Sequence, residues 1–216
     1  MSAFIRAASK GQILSAETRP EFRRATRNMR LCASAAEETL KAARDRTRLG
    51  VVLGTNLGEL ETTTDFLTTW ASQNLARPLL FQNSLHNATI GFLTLHFGIR
   101  GPSATISNRN SSPADSLDLA LTWLADGIAE DVLVLTVDSP VARMPHARGL
   151  SDESYALLLS RNSDGAIASL DILDQPAKFQ PGHGRNVIAE LVAALETGRR
   201  NFTLAKPLRG FDLLSP

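Results

Sequence analysis

The sequence is short of the residues that most directly mark a function. Its one cysteine, Cys32, excludes an intrachain disulfide and any cysteine-based metal site. Four histidines, His86, His96, His146 and His183, are scattered without metal-ligand spacing. The formal net charge is only +1, from 23 basic and 22 acidic residues, so no broad cationic surface for nucleic acid is expected. No apolar run approaches the roughly 20 residues of a membrane span. Met1 to Arg6 lacks the basic-then-apolar layout of a secretion signal. These absences point to a cytoplasmic domain without metal or organic cofactor, nucleic-acid partner or membrane span.

What is present is an ordinary globular mixture, 43% hydrophobic and 21% charged over 216 residues, enough for one substantial core or two small ones. Apolar strand-like runs alternate with amphipathic helical runs, which predicts an α/β protein with crossover connections. Residues 3–7 and 11–14 read as a first strand or hairpin, and 21–44 as one long helix with Phe22, Met29, Ala33, Ala36 and Leu40 at helical spacing. Residues 50–54 and 131–138 read as buried strands, 57–70 as a helix, and 77–81 as extended with Pro78 at its start. An apolar helix over 87–97 stops at Gly98, a strand follows over 103–107, and a helix over 113–128 carries Pro113 in its first turn. Residues 155–160 and 166–173 read as antiparallel neighbours across the 162–165 turn. After a loop over 140–152 and the Pro- and Gly-rich change at 175, one helix (186–197) and two short strands (202–205, 210–214) are expected.

The most specific stretch is Phe81-Gln-Asn-Ser-Leu-His-Asn-Ala-Thr-Ile-Gly91, continuing to Gly98-Ile-Arg-Gly-Pro-Ser-Ala-Thr-Ile-Ser107. It resembles the β-ketoacyl synthases of the thiolase superfamily, in which an Asn-x-x-Ala-Gly-type helix leads to a Gly-x-x-Gly-Pro-Ser turn, a strand and then the nucleophile. Arg23-Arg24 with the Ala-rich helix to Leu40, then Gly50 to Thr55, then Asp131 to Asp138 resemble other family segments in the same order. The resemblance covers residues 1–174 and implies an α/β thiolase-like half, a βαβαβαββ layered sheet with helices on both faces. Residues 175–216 are then an abbreviated C-terminal extension packing on the same domain.

In active members the strand after Gly-Pro-Ser ends in Thr-Ala-Cys-Ser-Ser-Gly, with the cysteine at the turn that opens a helix. Ungapped counting from Gly101-Pro102-Ser103 places Asn110 at that position. A carboxamide is not an acyl-accepting nucleophile, so the loading step has no chemistry here. The family's two catalytic histidines come from its second half, and none of the four histidines stands in those motifs. Cys32, His86 and His96 read as core or helix residues, and His183 as a turn residue.

The resemblance therefore implies no condensing activity by this chain alone. It points to an inactive subunit, chain-length-factor-like, that pairs with an active ketosynthase or with itself in fatty acid, polyene or polyketide biosynthesis. Leu79, Leu80, Phe81, Phe92, Leu95, Asn108 and Asn110 are the candidates for an acyl pocket or tunnel, and Ser103, Ala104, Thr105, Ile106 and Ser107 for a strand at the dimer interface. Arg23, Arg27 and Arg30, on one face of the expected long helix, are candidates for docking an acidic acyl carrier protein. Two rival readings stay open: a homodimeric scaffold that holds an acyl or pantetheine group above Asn110, and an acyl hydrolase or transferase using Ser111 or Ser112. Glu59 and Glu61 read as carboxylates at a helix start, and Asp138 as a loop cap.

Overall fold

The computed structural model describes residues 2–140, 151–173 and 186–205. Seven strands form one sheet: β1 (Ser2–Lys10), β2 (Gly50–Gly54), β3 (Ser103–Ile106), β4 (Asp131–Asp138), β5 (Glu153–Ser160), β6 (Ala168–Leu173) and β7 (Asn201–Ala205). The helices are α1 (Arg27–Thr39), α2 (Leu60–Gln73), α3 (Pro78–Asn83), α4 (Ala88–Phe97), α5 (Ser112–Ala125) and α6 (Val187–Glu196). Through β5, with α2 to α4 together forming one connection, the order is the expected βαβαβαββ; β6, α6 and β7 extend it.

The sheet order is β3-β2-β4-β5-β1-β6-β7. β2, β3 and β4 are parallel, as helical crossovers require. β5 is antiparallel to β4 and β1, β6 is antiparallel to β1, and β7 is parallel to β6. β2 and nearly all of β4 are buried on both faces, which explains their unbroken apolar sequences. Alternate residues divide between two cores. Val52, Val132, Val134, Leu157 and Leu159 meet α5 and α6 on one face. Val51, Leu53, Leu133, Leu135 and Leu158 meet α1 and α4 on the other. Leu170, Ile172, Phe202 and Leu204 continue the first core onto β6 and β7, so the extension shares the sheet and its core.

Four local expectations are corrected. The long helix of 21–44 is instead a 3₁₀ turn at Pro20–Phe22, then α1, then a 3₁₀ turn at Leu40–Ala42. Thr26 is extended and caps α1: its hydroxyl accepts Met29 N–H, while its own N–H donates to Met29 Sδ. Residues 11–14 form no strand; Gly11 instead lies so close to α1 that a Cβ would stand 2.4 Å from the Leu31 carbonyl oxygen. Residues 78–83 are helical, because Pro78 occupies the first turn of α3, where its missing N–H costs nothing. β5 and β6 are not paired with each other, because β1 lies between them and they run parallel on its two sides. The predicted stop of α4 is present, with Gly98 at φ 68° and Ile99 N–H closing onto the Thr94 carbonyl at 2.9 Å. The expected strand at 210–214, most of the 140–152 loop, His146 and His183 lie outside the described residues.

Candidate functional site

The C-terminal ends of β2, β3 and β4 lie side by side, the edge of a parallel sheet where ligands and reacting groups are commonly held. β3 leads through Asn108, Arg109, Asn110 and Ser111 into α5. The turn is sharp. Arg109 has φ 49°, a left-handed conformation that a non-glycine residue adopts only under local constraint. Hydrogen bonds supply that constraint: Asn108 N–H donates to Ser112 Oγ at 2.8 Å, Ser112 Oγ donates to the Arg109 carbonyl at 2.7 Å, and Asn108 Nδ2 donates to Asp115 Oδ2 at 2.6 Å. β2 presses on the same helix start, since a Cβ on Gly54 would stand 2.5 Å from Ser116 Oγ and 2.7 Å from the Ser112 carbonyl oxygen. The strand–turn–helix elbow is thus built and rigid, and the side chain it presents is the exposed Asn110.

Several other candidate groups are committed to structure, whereas the Ser111 hydroxyl makes no capping bond to α5. Ser112 is fully buried with its hydroxyl bonded on both sides, which leaves it no nucleophilic role. Cys32 is buried on α1 against Ser154 Oγ, and burial pushes its thiol well above the usual range, so it stays neutral and inert. His96 stacks on Phe92 and touches Phe22 and Phe97. The His86 ring packs over Gly58. Asp138, expected to cap the loop that follows it, caps the loop after β2: its carboxylate accepts from Thr55 Oγ1 at 3.0 Å and from the amides of Asn56 and Leu57 at 2.9 and 2.7 Å.

The predicted pocket residues separate in space. Phe92 packs against Phe22 and the α1–α4 core, while Leu95, on another side of α4, is 86% exposed. Leu79 and Phe81 are exposed on α3 with Leu80 half-buried between them, and the Phe81 ring meets Phe66 of α2 at 5.6 Å. Trp70 and Leu67 of α2 and Leu85 after α3 are exposed as well. β3 is the sheet edge, paired with β2 on one side; Ser103 is exposed, and Ala104, Thr105 and Ile106 are half-buried. The three arginines do not share a helix face. Arg23 is exposed in the turn before α1; Arg27 is bonded to Asp152, which raises its pKa; Arg30 donates to the Leu14 carbonyl.

One feature was legible in the sequence only as a solvated helix start. Glu59 is 4% exposed, and its carboxylate accepts the hydroxyls of Thr26, Thr62 and Thr89, which come from three different helices or their caps. Asn28 Nδ2 donates to the Gly58 carbonyl beside it at 2.6 Å. Arg27, Asn28, Gly58, Glu59, Glu61 and Ser139 come together there without leaving a cavity. The threonine run at 62–64 was the one available sequence signal.

Among the described residues no group of histidine, cysteine and carboxylate side chains converges as a metal site, and no helix is long and apolar enough to cross a membrane. A family model described as "Beta-ketoacyl synthase, N-terminal domain" matches residues 18–206. No curated protein matches the sequence. Among solved structures, the chain is similar to one in a ketosynthase complex with its chain length factor from Xenorhabdus doucetiae, at 24% identity and TM-score 0.59 over 71% of this chain and 64% of that one. It is also similar to the ishigamide ketosynthase/chain length factor, at 16% identity and TM-score 0.62 over 76% and 63%. A third likeness, at 11% identity and TM-score 0.68, spans 98% of this chain and 87% of a chain in a type II polyketide synthase acyl carrier protein complex with its ketosynthase. The chain thus spans under two thirds of the first two and most of the third. At these identities the likeness establishes a shared fold.

Proposed function

The chain belongs to the β-ketoacyl synthase N-terminal domain family, and from that premise we propose that it is a non-catalytic subunit that pairs with an active ketosynthase and helps to shape the tunnel for its growing acyl chain. The observation that carries the reading is a built strand-to-helix elbow with a carboxamide on it, together with apolar side chains on α2, α3 and α4 that the chain leaves exposed. By motif counting Asn110 takes the position of the family nucleophile, on a turn held by Asn108, Ser112 and Asp115. A carboxamide there can hydrogen-bond a carbonyl or an amide but cannot accept an acyl group.

The pairing surface in this reading is β3 with α4 and the α2–α3 segment. α4 is apolar on all sides, a pattern of helices covered all round. Leu95, Leu79, Phe81 and Trp70 leave a large apolar area in water, and a partner that covers it gains roughly 25 cal/mol per Å2 of apolar surface buried. The free edge of β3 offers backbone groups for a strand of the partner. Residues 1–174 form the ketosynthase-like half in this account, and 175–216 the short extension. A carrier protein would find Arg23 and the neighbouring exposed Arg24, because Arg27 and Arg30 are already engaged. The localisation that goes with this role is cytoplasmic.

The test is product length. In the reconstituted pair, Leu80→Trp narrows the space the α3 segment lends to the tunnel and shortens the product; unchanged products would remove the tunnel role. The same uncovered face would also serve self-pairing, in which case the chain is a scaffold that holds an acyl or pantetheine group without turnover.

A further inference from the structure

The α2–α3 segment is where the chain spends little apolar packing of its own, whereas α4 buries Ile90 and Leu93 in the core. α2 has a single buried residue, Thr62, and α3 has none. The Phe66–Phe81 contact ties α2 to α3 but neither of them to the sheet. Hydrophobic burial does not fix such a segment, so its position falls to directional bonds.

Those bonds converge on Glu59. Its carboxylate accepts Thr26 Oγ1 at 2.9 Å from the cap of α1, Thr62 Oγ1 at 3.4 Å from α2, and Thr89 Oγ1 from the first turn of α4. Its carbonyl accepts Thr63 N–H at 2.8 Å and Thr63 Oγ1 at 2.9 Å; the same hydroxyl also approaches the Ser84 carbonyl, between α3 and α4, at 3.1 Å. The preceding Gly58, at φ +57°, donates to Thr55 Oγ1 and accepts from Asn28, which anchors the hub to β2 and α1. α1 belongs to the core, with Leu31, Cys32, Ala33, Ala35 and Ala36 buried against the sheet. Glu59 therefore sits between two core-packed helices, α1 and α4, and the α2–α3 segment, which has little fixation of its own.

We propose that Glu59 is a positioning residue that sets where α2, and with it the exposed apolar side chains of the α2–α3 segment, stands relative to α1, α4 and the sheet. It does so from a buried place, through Thr62 and Thr89, without touching the partner. The link to pairing rests on the functional reading above; the mechanical role does not.

Amide hydrogen exchange of the full chain, purified alone, separates the two. Glu59→Gln keeps the size of the side chain but replaces one acceptor oxygen with a donor, and is expected to speed exchange in α2 about tenfold. Amides of α5 and α6 on the far face keep their wild-type protection. Thr89→Val, which cuts only the tie to α4, speeds exchange in α2 by less than Glu59→Gln does. An even rise across both faces in Glu59→Gln, or no rise in α2, overturns the positioning role. Retention of a co-expressed ketosynthase is the second readout, and it falls with the loosened segment. If exchange changes as expected while retention stays at the wild-type level, Glu59 keeps its positioning role and the pairing surface has been placed wrongly.

Discussion

On the face covered by α5 and α6 the chain finishes its own core, whereas around α2, α3 and α4 it leaves the work half done. Leu117, Leu121 and Leu124 of α5, which lies over β2 and β4, share one core with Ile188, Leu191 and Val192 of α6, which lies over β5 and β1, and all six are buried. The short extension is what closes this face. On the other side, α1 and the inner face of α4 are well buried, but Leu95 of α4 and Phe81, Leu79 and Trp70 of the α2–α3 segment are exposed, and α2 is tied down by one carboxylate and its threonines. The difference teaches where stability and function are kept. The first face holds the chain together, and the second is the one a partner covers in the proposed reading.

Substitutions on the two faces should separate those roles. The largest effect on stability belongs to the closed face: Leu121→Ala or Leu191→Ala, each in a fully buried position, is expected to cost about 2–5 kcal/mol in urea unfolding. A loss within the error of the wild type would mean that α5 and α6 do not form the core described. Leu95→Arg is the counterpart on the open face. The side chain is 86% exposed, so unfolding free energy should move by no more than about 0.5 kcal/mol. Ketosynthase co-purification should nevertheless collapse. Asn186→Ala removes the cap that accepts the amides of Ile188 and Ala189 at the start of α6, and should cost about 1 kcal/mol without affecting pairing.

The smallest effect is electrostatic. Burial raises the carboxyl of Glu59 above its ordinary 4.5, and that of Asp138 above its ordinary 3.8, against the hydrogen bonds that lower both. A group raised in the folded state binds its proton more tightly there than in the unfolded chain. Its contribution to stability is fully present below the unfolded value and lost as pH rises through the folded one. Urea midpoints of the wild type should therefore decline more steeply above pH 4.5 than those of Glu59→Gln, which lacks that titration. Parallel curves would show that Glu59 does not titrate across folding.

Much of the fold was readable because burial on two faces leaves a plain trace. The unbroken apolar runs of β2 and β4 and the Gly98 stop of α4 are local signals, and they stand where expected. The errors fell where a local pattern admits two structures. Pro78 opens a helix as readily as a strand, and Thr26 breaks a helical periodicity that Phe22 continues only in appearance, its side chain reaching the core from a 3₁₀ turn. No local feature of 155–173 says that β1 will lie between its two strands, since that pairing is made with residues some 150 positions away. At the site, the strand-to-helix turn at 108–112 was legible through motif spacing, and the assignment of Asn110 to the nucleophile position rests on that spacing alone. The Glu59 hub was not legible, because Thr26, Thr62 and Thr89 meet only after three helices have packed. The shared face assumed for Arg23, Arg27 and Arg30 failed with the long helix on which it depended.

The central claim is that the open face belongs to a ketosynthase. Its most direct measurement is the native mass of the chain, purified alone and after co-expression with a ketosynthase encoded beside it. A stable one-to-one complex, formed by the wild type and lost with Leu95→Arg, is the predicted result. A homodimer or monomer that ignores the ketosynthase would contradict it.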